Sequence, residues 1–292
     1  MKLKWRPPKF VIGLSVLGTA VGGIVLAKEF IGGSNYSGKE RLDNKTVIVT
    51  GANCGIGKET ALEMAKRGAN VVLACRNMRK CKAVNCKNYD RLDILINNAG
   101  VMRCKKSFTK EGFEMQFGTN HLGHFLLTML LLDKLKESKP SRIVNVASVA
   151  HMRGTINFAD LNGEKSYDPA DAYNQSKLAN VLFTFELADK LKGTGVTCNA
   201  VHPGIVNTDI IRHLSYANSW LANFFVKPFM WLLLKTPRQG AQTTINAALN
   251  ENLVNVSGKY FSNQKEREPS DQSRDKAIAQ RLWAISDKWT DM

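Results

Sequence analysis

The sequence predicts an α/β fold, a doubly wound parallel sheet, on three observations. Short apolar runs rich in β-branched residues alternate with longer amphipathic stretches. A glycine-rich turn joins the first such run to the first helix. The motifs able to carry chemistry fall at the carboxyl ends of the runs, where open parallel sheets bind their ligands.

Residues 45–50 (KTVIVT) form the first strand, without polar alternation and so buried on both faces. The strand leads through Gly51, Asn53, Cys54, Gly55, Ile56 and Gly57 into a helix over residues 58–67. In that context glycines let the backbone approach a pyrophosphate held at the helix N-terminus. Strand two covers residues 70–75 (NVVLAC), and its end meets the adenosine ribose in such folds. An acid there binds the 2′-hydroxyl of NAD, whereas an arginine accommodates a 2′-phosphate. Cys75 and Arg76 stand at that place with no Asp or Glu, which favours NADP(H) unless Arg76 is a solvated loop cation. A strand over 93–96 ends in Asn97, Asn98, Ala99 and Gly100, a helix follows over about 112–127, and strand 142–147 (RIVNVA) ends at Ser148. Tyr173 and Lys177, four residues apart, share one face of a helix reaching about residue 191. Strand 196–201 (VTCNAV) then delivers His202, Pro203, Gly204 and Thr208.

In that order, Thr50-Gly51-x3-Gly55-x-Gly57, Asn97-Asn98-Ala99-Gly100, Asn120, Ser148, Tyr173-x3-Lys177 and Pro203-Gly204 resemble the short-chain dehydrogenase/reductase family, over about residues 42–262. Within it, NNAGVMR, FEMQFGTNHLGHFLLT, RIVNVASVAH, YNQSKLANVLF and VSGKYF resemble the retinol dehydrogenase group. The resemblance implies a Rossmann-type sheet with Tyr173 as general acid/base and Lys177 also holding the nicotinamide ribose. It implies that Ser148, with Tyr173, binds the substrate and that Asn120 positions a water in a proton relay. Gly51, Asn53, Cys54, Gly55, Ile56 and Gly57 would line the cofactor phosphates, and Asn98 the adenosine side, followed by Ala99 and Gly100. Arg76 would meet the 2′-phosphate, and Pro203, Gly204 and Thr208 the nicotinamide end. The family often has a second serine before the catalytic one; Ala147 stands there, leaving Ser148 as the candidate. A free tyrosine ionises near pH 10, and Lys177 one helical turn away is expected to bring Tyr173 down toward its working range.

Only residues 76–91 separate strand two from the next strand, where a doubly wound half needs helix, strand and helix. Relatives carry roughly 35 more residues there, one strand, one helix and their loops. The third strand, an edge strand, is therefore expected to be missing, leaving strand two at the edge. Sixteen residues of helix reach about 24 Å, enough to cross strand one. The loss removes a family Asp that contacts adenine and is expected to weaken cofactor affinity and stability.

Residues 10–27 carry no charge and are flanked by Lys2, Lys4, Arg6, Lys9 and Lys28. They span roughly 27 Å as a helix, close to the thickness of a thin bilayer. An uncleaved anchor is expected; the rival readings are a basic mitochondrial-type leader and a secretory signal, which would lack its A-x-A site. Residues 1–41 are thus read as anchor plus linker, flexible over 31–39, and 42–292 as the oxidoreductase domain. The location implied is membrane-associated and intracellular, at the mitochondrial inner membrane or the endoplasmic reticulum. Residues 220–234, twelve of fifteen apolar, suit either a lid over a hydrophobic substrate or a packed core helix.

Composition narrows the rest: 44% apolar and 23% charged residues fit an ordinary folded domain. Six cysteines without a C-x-x-C pair exclude a disulfide scaffold and read as reduced thiols. His121 and His124 lack further ligands at metal spacing, so no metal is expected. The net charge of +16 comes with no nucleic-acid motif, so the partners expected are membrane lipid and a lipophilic, retinoid-like small molecule rather than nucleic acid. Four glycosylation triplets are present, one inside the Tyr173 motif, and are ascribed to chance. The resemblance implies NADP(H)-dependent reduction of retinal to retinol. The alternatives are a steroid or lipid-aldehyde reductase, and a tethered protein whose catalysis the gap impairs.

Overall fold

The computed structural model describes residues 8–75, 89–208, 210 and 234–291. One sheet organises the domain: β1 (Thr46–Thr50), β2 (Asn70–Ala74), β3 (Ile94–Asn97), β4 (Ser141–Val146), β5 (Val196–His202), β6 (Tyr260–Ser262) and β7 (Lys265–Glu266). Their order is β2-β1-β3-β4-β5-β6-β7, all parallel except the antiparallel last pair. Val47 pairs with both Val71 and Ile94, so the chain leaving β2 returns across β1 to form β3. Among the described residues β2 is the edge, and no strand lies beyond it. Arg76 and most of residues 76–91, where the third strand is expected to be missing, lie outside the described residues.

Strand side chains alternate between two apolar layers, as the period of two requires. Val47, Val49, Ile94, Ile96, Val144 and Val146 face α2 (Gly55–Lys66) and the late helix Pro237–Leu249. Leu95 and Ile143 face the opposite layer with Phe125, Leu135, Phe183 and Leu187. Full burial of each such side chain stabilises by about 1.5–3 kcal/mol. At the base of the sheet the Asp93 carboxylate, 4% exposed, accepts hydrogen bonds from the Thr46 amide (2.9 Å) and Arg91 (2.6 Å) and pairs with Lys45 (3.1 Å). This ties the start of β1 to the start of β3.

The helix expected over 112–127 differs from the one observed. Glu114 caps a short α3 (Met115–Phe117) by accepting from the Gln116 and Phe117 amides. A π-helical turn, Gly118–Leu122, follows, and α4 (Gly123–Glu137) carries the helix ten residues further than expected. A side-chain cap moves the start, and the leucine-rich continuation packs on β3 and β4. α5 (Pro169–Lys190) starts on the Asp168 cap with proline at its first position. The chain ends with α6 (Pro237–Leu249) and α7 (Lys276–Trp289), whose Trp283 meets Phe125 edge-on at 5.0 Å.

At the N-terminus α1 (Lys9–Gly32) contains one stretch, Gly13–Gly32, long and apolar enough to cross a membrane. The stretch expected to be a flexible linker is instead fastened to the domain. Arg67 donates to the Gly38 carbonyl (2.8 Å) and to Glu40 (3.1 Å), and its guanidinium lies over the Tyr36 ring. The Tyr36 amide donates to Gln242 (2.7 Å), and the Gln264 side chain holds Ser34. Cys54, Cys104 and Cys198 take part in no disulfide, whereas Cys75 is disulfide-bonded, so the reduced reading fails at that position. Residues 211–233, which include most of the expected lid, lie outside the described residues.

Candidate active site

The carboxyl ends of β1 and β3 form a cradle. Thr50 closes β1, and its hydroxyl oxygen accepts the amides of Asn98 (2.8 Å) and Ala99 (2.9 Å) at the end of β3. The Asn98 side chain donates back to the Thr50 carbonyl at 2.8 Å. A Cβ on Gly57 would stand 2.5 Å from the Gly51 carbonyl oxygen, and one on Gly51 would stand 2.8 Å from the Ala99 Cα. Only glycine lets these backbones close up. Cys54, exposed, precedes α2 with no side-chain cap, so the first-turn amides carry no side-chain acceptor, as an anion site requires. Ile56 packs on the core, near the position a Cβ on Gly240 would take, leaving its backbone to the cradle. The Thr208 methyl closes over Gly55, 3.1 Å from where a Cβ would stand. Pro203 is buried at the end of β5 and Gly204 turns with φ +88°. Asn53 lies half-buried in the turn.

Beside the cradle stand the groups expected to perform chemistry. Ser148 follows β4, and its Oγ accepts the Ala150 amide at 3.2 Å as it caps the short turn Val149–Arg153. Tyr173 and Lys177 project from α5, with Nζ 5.8 Å from the tyrosine ring centre. Lys177 is buried and donates to the Val146 carbonyl at 2.9 Å. Burial brings its pKa down to about 8. Burial raises the Tyr173 hydroxyl above its ordinary value, while a hydrogen bond with Ser148 and the charge of Arg103 pull it back. The net shift is upward, so the lowering expected from Lys177 is not met; the groups that partly offset burial are Ser148 and Arg103. No rule of spacing points to Arg103, which has φ +50° and lies in the loop after Gly100.

Asn120 occupies the π-helical turn. Its side chain is fully engaged: Oδ1 accepts the Val101 amide (2.9 Å), and Nδ2 donates to the Val101 carbonyl (3.0 Å) and Ser176 (2.9 Å). Of its groups, the main-chain carbonyl is the one oriented by a different neighbour, accepting from His124 Nδ1 at 3.0 Å. A Cβ on Gly100 would stand 3.3 Å from Asn120 Oδ1 and 3.8 Å from Lys177 Nζ, so the cradle meets those two side chains at that glycine. His121 and His124 go to separate partners, Ser286 and Thr50. His151, buried behind Ser148, donates to the Ser148 carbonyl at 2.6 Å and accepts the Ser270 amide at 3.2 Å.

A glycine cradle at the switch between β1 and β3, facing serine, tyrosine and lysine from β4 and α5, is the layout of a nucleotide-dependent oxidoreductase. A family model for short chain dehydrogenases matches residues 45–87 and 82–218, and the chain belongs to that family. It is 49% identical to retinol dehydrogenase 13 of Mus musculus over 311 aligned positions, covering 95% of this chain and 93% of that one. It is also 49% identical to retinol dehydrogenase 11 of Homo sapiens, covering 84% and 86%. Among solved structures, an uncharacterised protein from Mycobacterium paratuberculosis superposes with a TM-score of 0.71 at 33% identity, covering 89% and 98% of the two chains. In the first alignment, 95% of 292 residues is about 277, so about 34 of the 311 positions hold no residue of this chain. The family match also falls into two stretches that meet at residues 82–87.

Proposed function

We propose that the protein is a membrane-anchored, NADP(H)-dependent reductase that converts a lipophilic aldehyde, retinal foremost, into its alcohol. The observation that carries the reading is that Lys177, grouped with Tyr173 and Ser148, meets the glycine cradle at Gly100. Three apolar side chains stand exposed on the turns after Ser148 and Gly204: Val149 (50%), Met152 (52%) and Ile205 (65%). They suit a greasy substrate. The retinol dehydrogenases among the relatives support a retinoid, and the lack of an acid after strand two supports NADP(H).

The bound nicotinamide would supply the hydride that reaches the carbonyl carbon. Ser148 donates its hydroxyl proton in a hydrogen bond to the carbonyl oxygen, fixing it beside Tyr173. Tyr173 gives its phenolic proton to that oxygen as the C=O bond becomes single, and the Lys177 ammonium stabilises the phenolate left behind. Asn120 holds the Val101 loop against α5 and presents its carbonyl to the relay. The cradle glycines and α2 amides would hold the phosphates, and Arg76, which lies outside the described residues, would meet the 2′-phosphate. Residues 1–41 anchor the domain at the mitochondrial inner membrane or the endoplasmic reticulum.

The test is a substrate panel on full-length protein in detergent, with retinal, a steroid ketone and a lipid-peroxidation aldehyde, each with NADPH or NADH. The highest kcat/KM is expected for retinal with NADPH. A higher value with NADH removes the cofactor assignment, and a higher value with another carbonyl moves the substrate. A second reading, impaired catalysis, is favoured by the roughly 34 unmatched positions. Restoring that segment is expected to lower the Kd for NADPH; an equal Kd contradicts it.

A further inference from the structure

The H-x-x-H pair contains a residue that the chemistry above leaves unused. His124 is buried, 5% exposed, at the start of α4. Its Nδ1 lies 3.0 Å from the main-chain carbonyl of Asn120, and its Nε2 lies 2.9 Å from Thr50 Oγ1. A carbonyl only accepts, so Nδ1 carries the proton and Nε2 is the acceptor. Thr50 therefore donates its hydroxyl proton to His124 in preference to the Ile96 carbonyl, which lies farther off at 3.4 Å, and its oxygen accepts the Asn98 and Ala99 amides at 2.8 and 2.9 Å. Both ring nitrogens are satisfied in this one neutral tautomer. Burial, then the charge of Lys177, brings the imidazole pKa down to about 4, which keeps it neutral near physiological pH.

We propose that His124 is a positioning residue that couples the dinucleotide cradle to the proton relay, orienting Thr50 and the Asn98–Ala99 turn through Nε2 and the Asn120 carbonyl through Nδ1. The inference rests on the reading of the site as a nicotinamide-dependent oxidoreductase. It predicts that the two ring nitrogens serve separate steps. An asparagine at 124 reaches Asn120 but not Thr50, and a glutamine reaches Thr50 but not Asn120.

The experiment uses full-length protein in detergent, with Kd for NADPH and NADH read from nicotinamide fluorescence and kcat from retinal reduction. His124→Asn is expected to weaken the better-bound dinucleotide about tenfold with kcat within about threefold, because a buried hydroxyl loses its acceptor. His124→Gln is expected to do the reverse, lowering kcat about tenfold with Kd within about threefold. Thr50→Val should match His124→Asn in Kd, the double variant should lose no more than the worse single one, and Thr50→Ser should recover the affinity lost in Thr50→Val. Kd and kcat falling together in both His124 variants, or additive losses in the double variant, would overturn the coupling. Should His124→Asn fail to fold in a thermal melt, the Thr50 pair carries the test of the cradle arm and His124→Gln that of the relay arm. A wild-type protein that binds neither dinucleotide overturns the reading of the site itself; one that binds while both His124 variants match it overturns this inference alone.

Discussion

Lys177→Met should make the nucleotide-free protein more stable while abolishing its activity. The ammonium is buried, 3% exposed, and its hydrogen bond among the described residues is to the Val146 carbonyl, not to a carboxylate. Burial brings its pKa from 10.5 to about 8, which converts to about 3 kcal/mol of destabilisation at pH 7. Methionine fills the same stem without charge, and the lost hydrogen bond returns about 1 kcal/mol. The net gain of about 2 kcal/mol corresponds to roughly 4–8 °C in Tm for a chain of this size. The pH dependence has a definite sign. Because the folded pKa lies below the unfolded one, the unfolded chain holds the extra proton between about pH 8 and 10.5, and wild-type stability rises across that window. The variant lacks this rise, so its advantage should shrink from pH 7 to about pH 9.5. Thermal unfolding followed by circular dichroism in detergent, without nucleotide, measures both. A variant that melts below wild type at pH 7, or a Tm gap that does not change with pH, would show that the buried ammonium carries no such cost.

Three further outcomes follow from named contacts. Burial alone would raise the Asp93 carboxyl, but Arg91, the Thr46 amide and Lys45 outweigh it and hold the pKa below the ordinary range. Its stabilisation is thus present above the unfolded value near 4 and is lost as pH falls through the folded one. Asp93→Asn should lose about 1–3 kcal/mol at pH 7, since Arg91 and Lys45 remain partly solvated, and should flatten the acid limb of a stability curve; an unchanged limb counts against the network. Gly57→Ala puts a methyl 2.5 Å from the Gly51 carbonyl oxygen. Nucleotide affinity should fall at least about tenfold, and wild-type affinity in a fluorescence titration would show that the cradle is not the binding surface. Arg67→Ala releases Gly38 and Glu40. Limited proteolysis should then cut within residues 33–42 faster than in wild type, and equal rates would show that other contacts hold this stretch.

The strands were legible because buried parallel strands write themselves as β-branched runs: the observed β1, β2, β4 and β5 differ from the expected spans by single residues. Helix ends were less so. The start of α3 depends on a local cap by the Glu114 side chain, and the π-helical turn on tertiary contacts of Asn120 with Val101 and Ser176. Residues 31–39 have the composition of a flexible linker, and their docking depends on Arg67, Gln242 and Gln264 far along the chain. The motifs named Ser148, Tyr173 and Lys177, but not what surrounds them. That Tyr173 feels Arg103 and Ser148 before Lys177 is a matter of burial and loop path, and the single tautomer of His124 follows from two partners that sequence spacing does not bring together.

The proposed role of Tyr173, protonating a carbonyl to which NADPH gives hydride, is tested by retinal reduction with NADPH deuterated at C4, in wild type and in Tyr173→Phe. Retinol from wild type should carry deuterium on the carbinol carbon, and the variant should turn over more slowly by about 10²–10⁴ with nucleotide affinity retained. Turnover that survives the substitution, or a wild-type protein that binds NADPH and transfers no label, would contradict it.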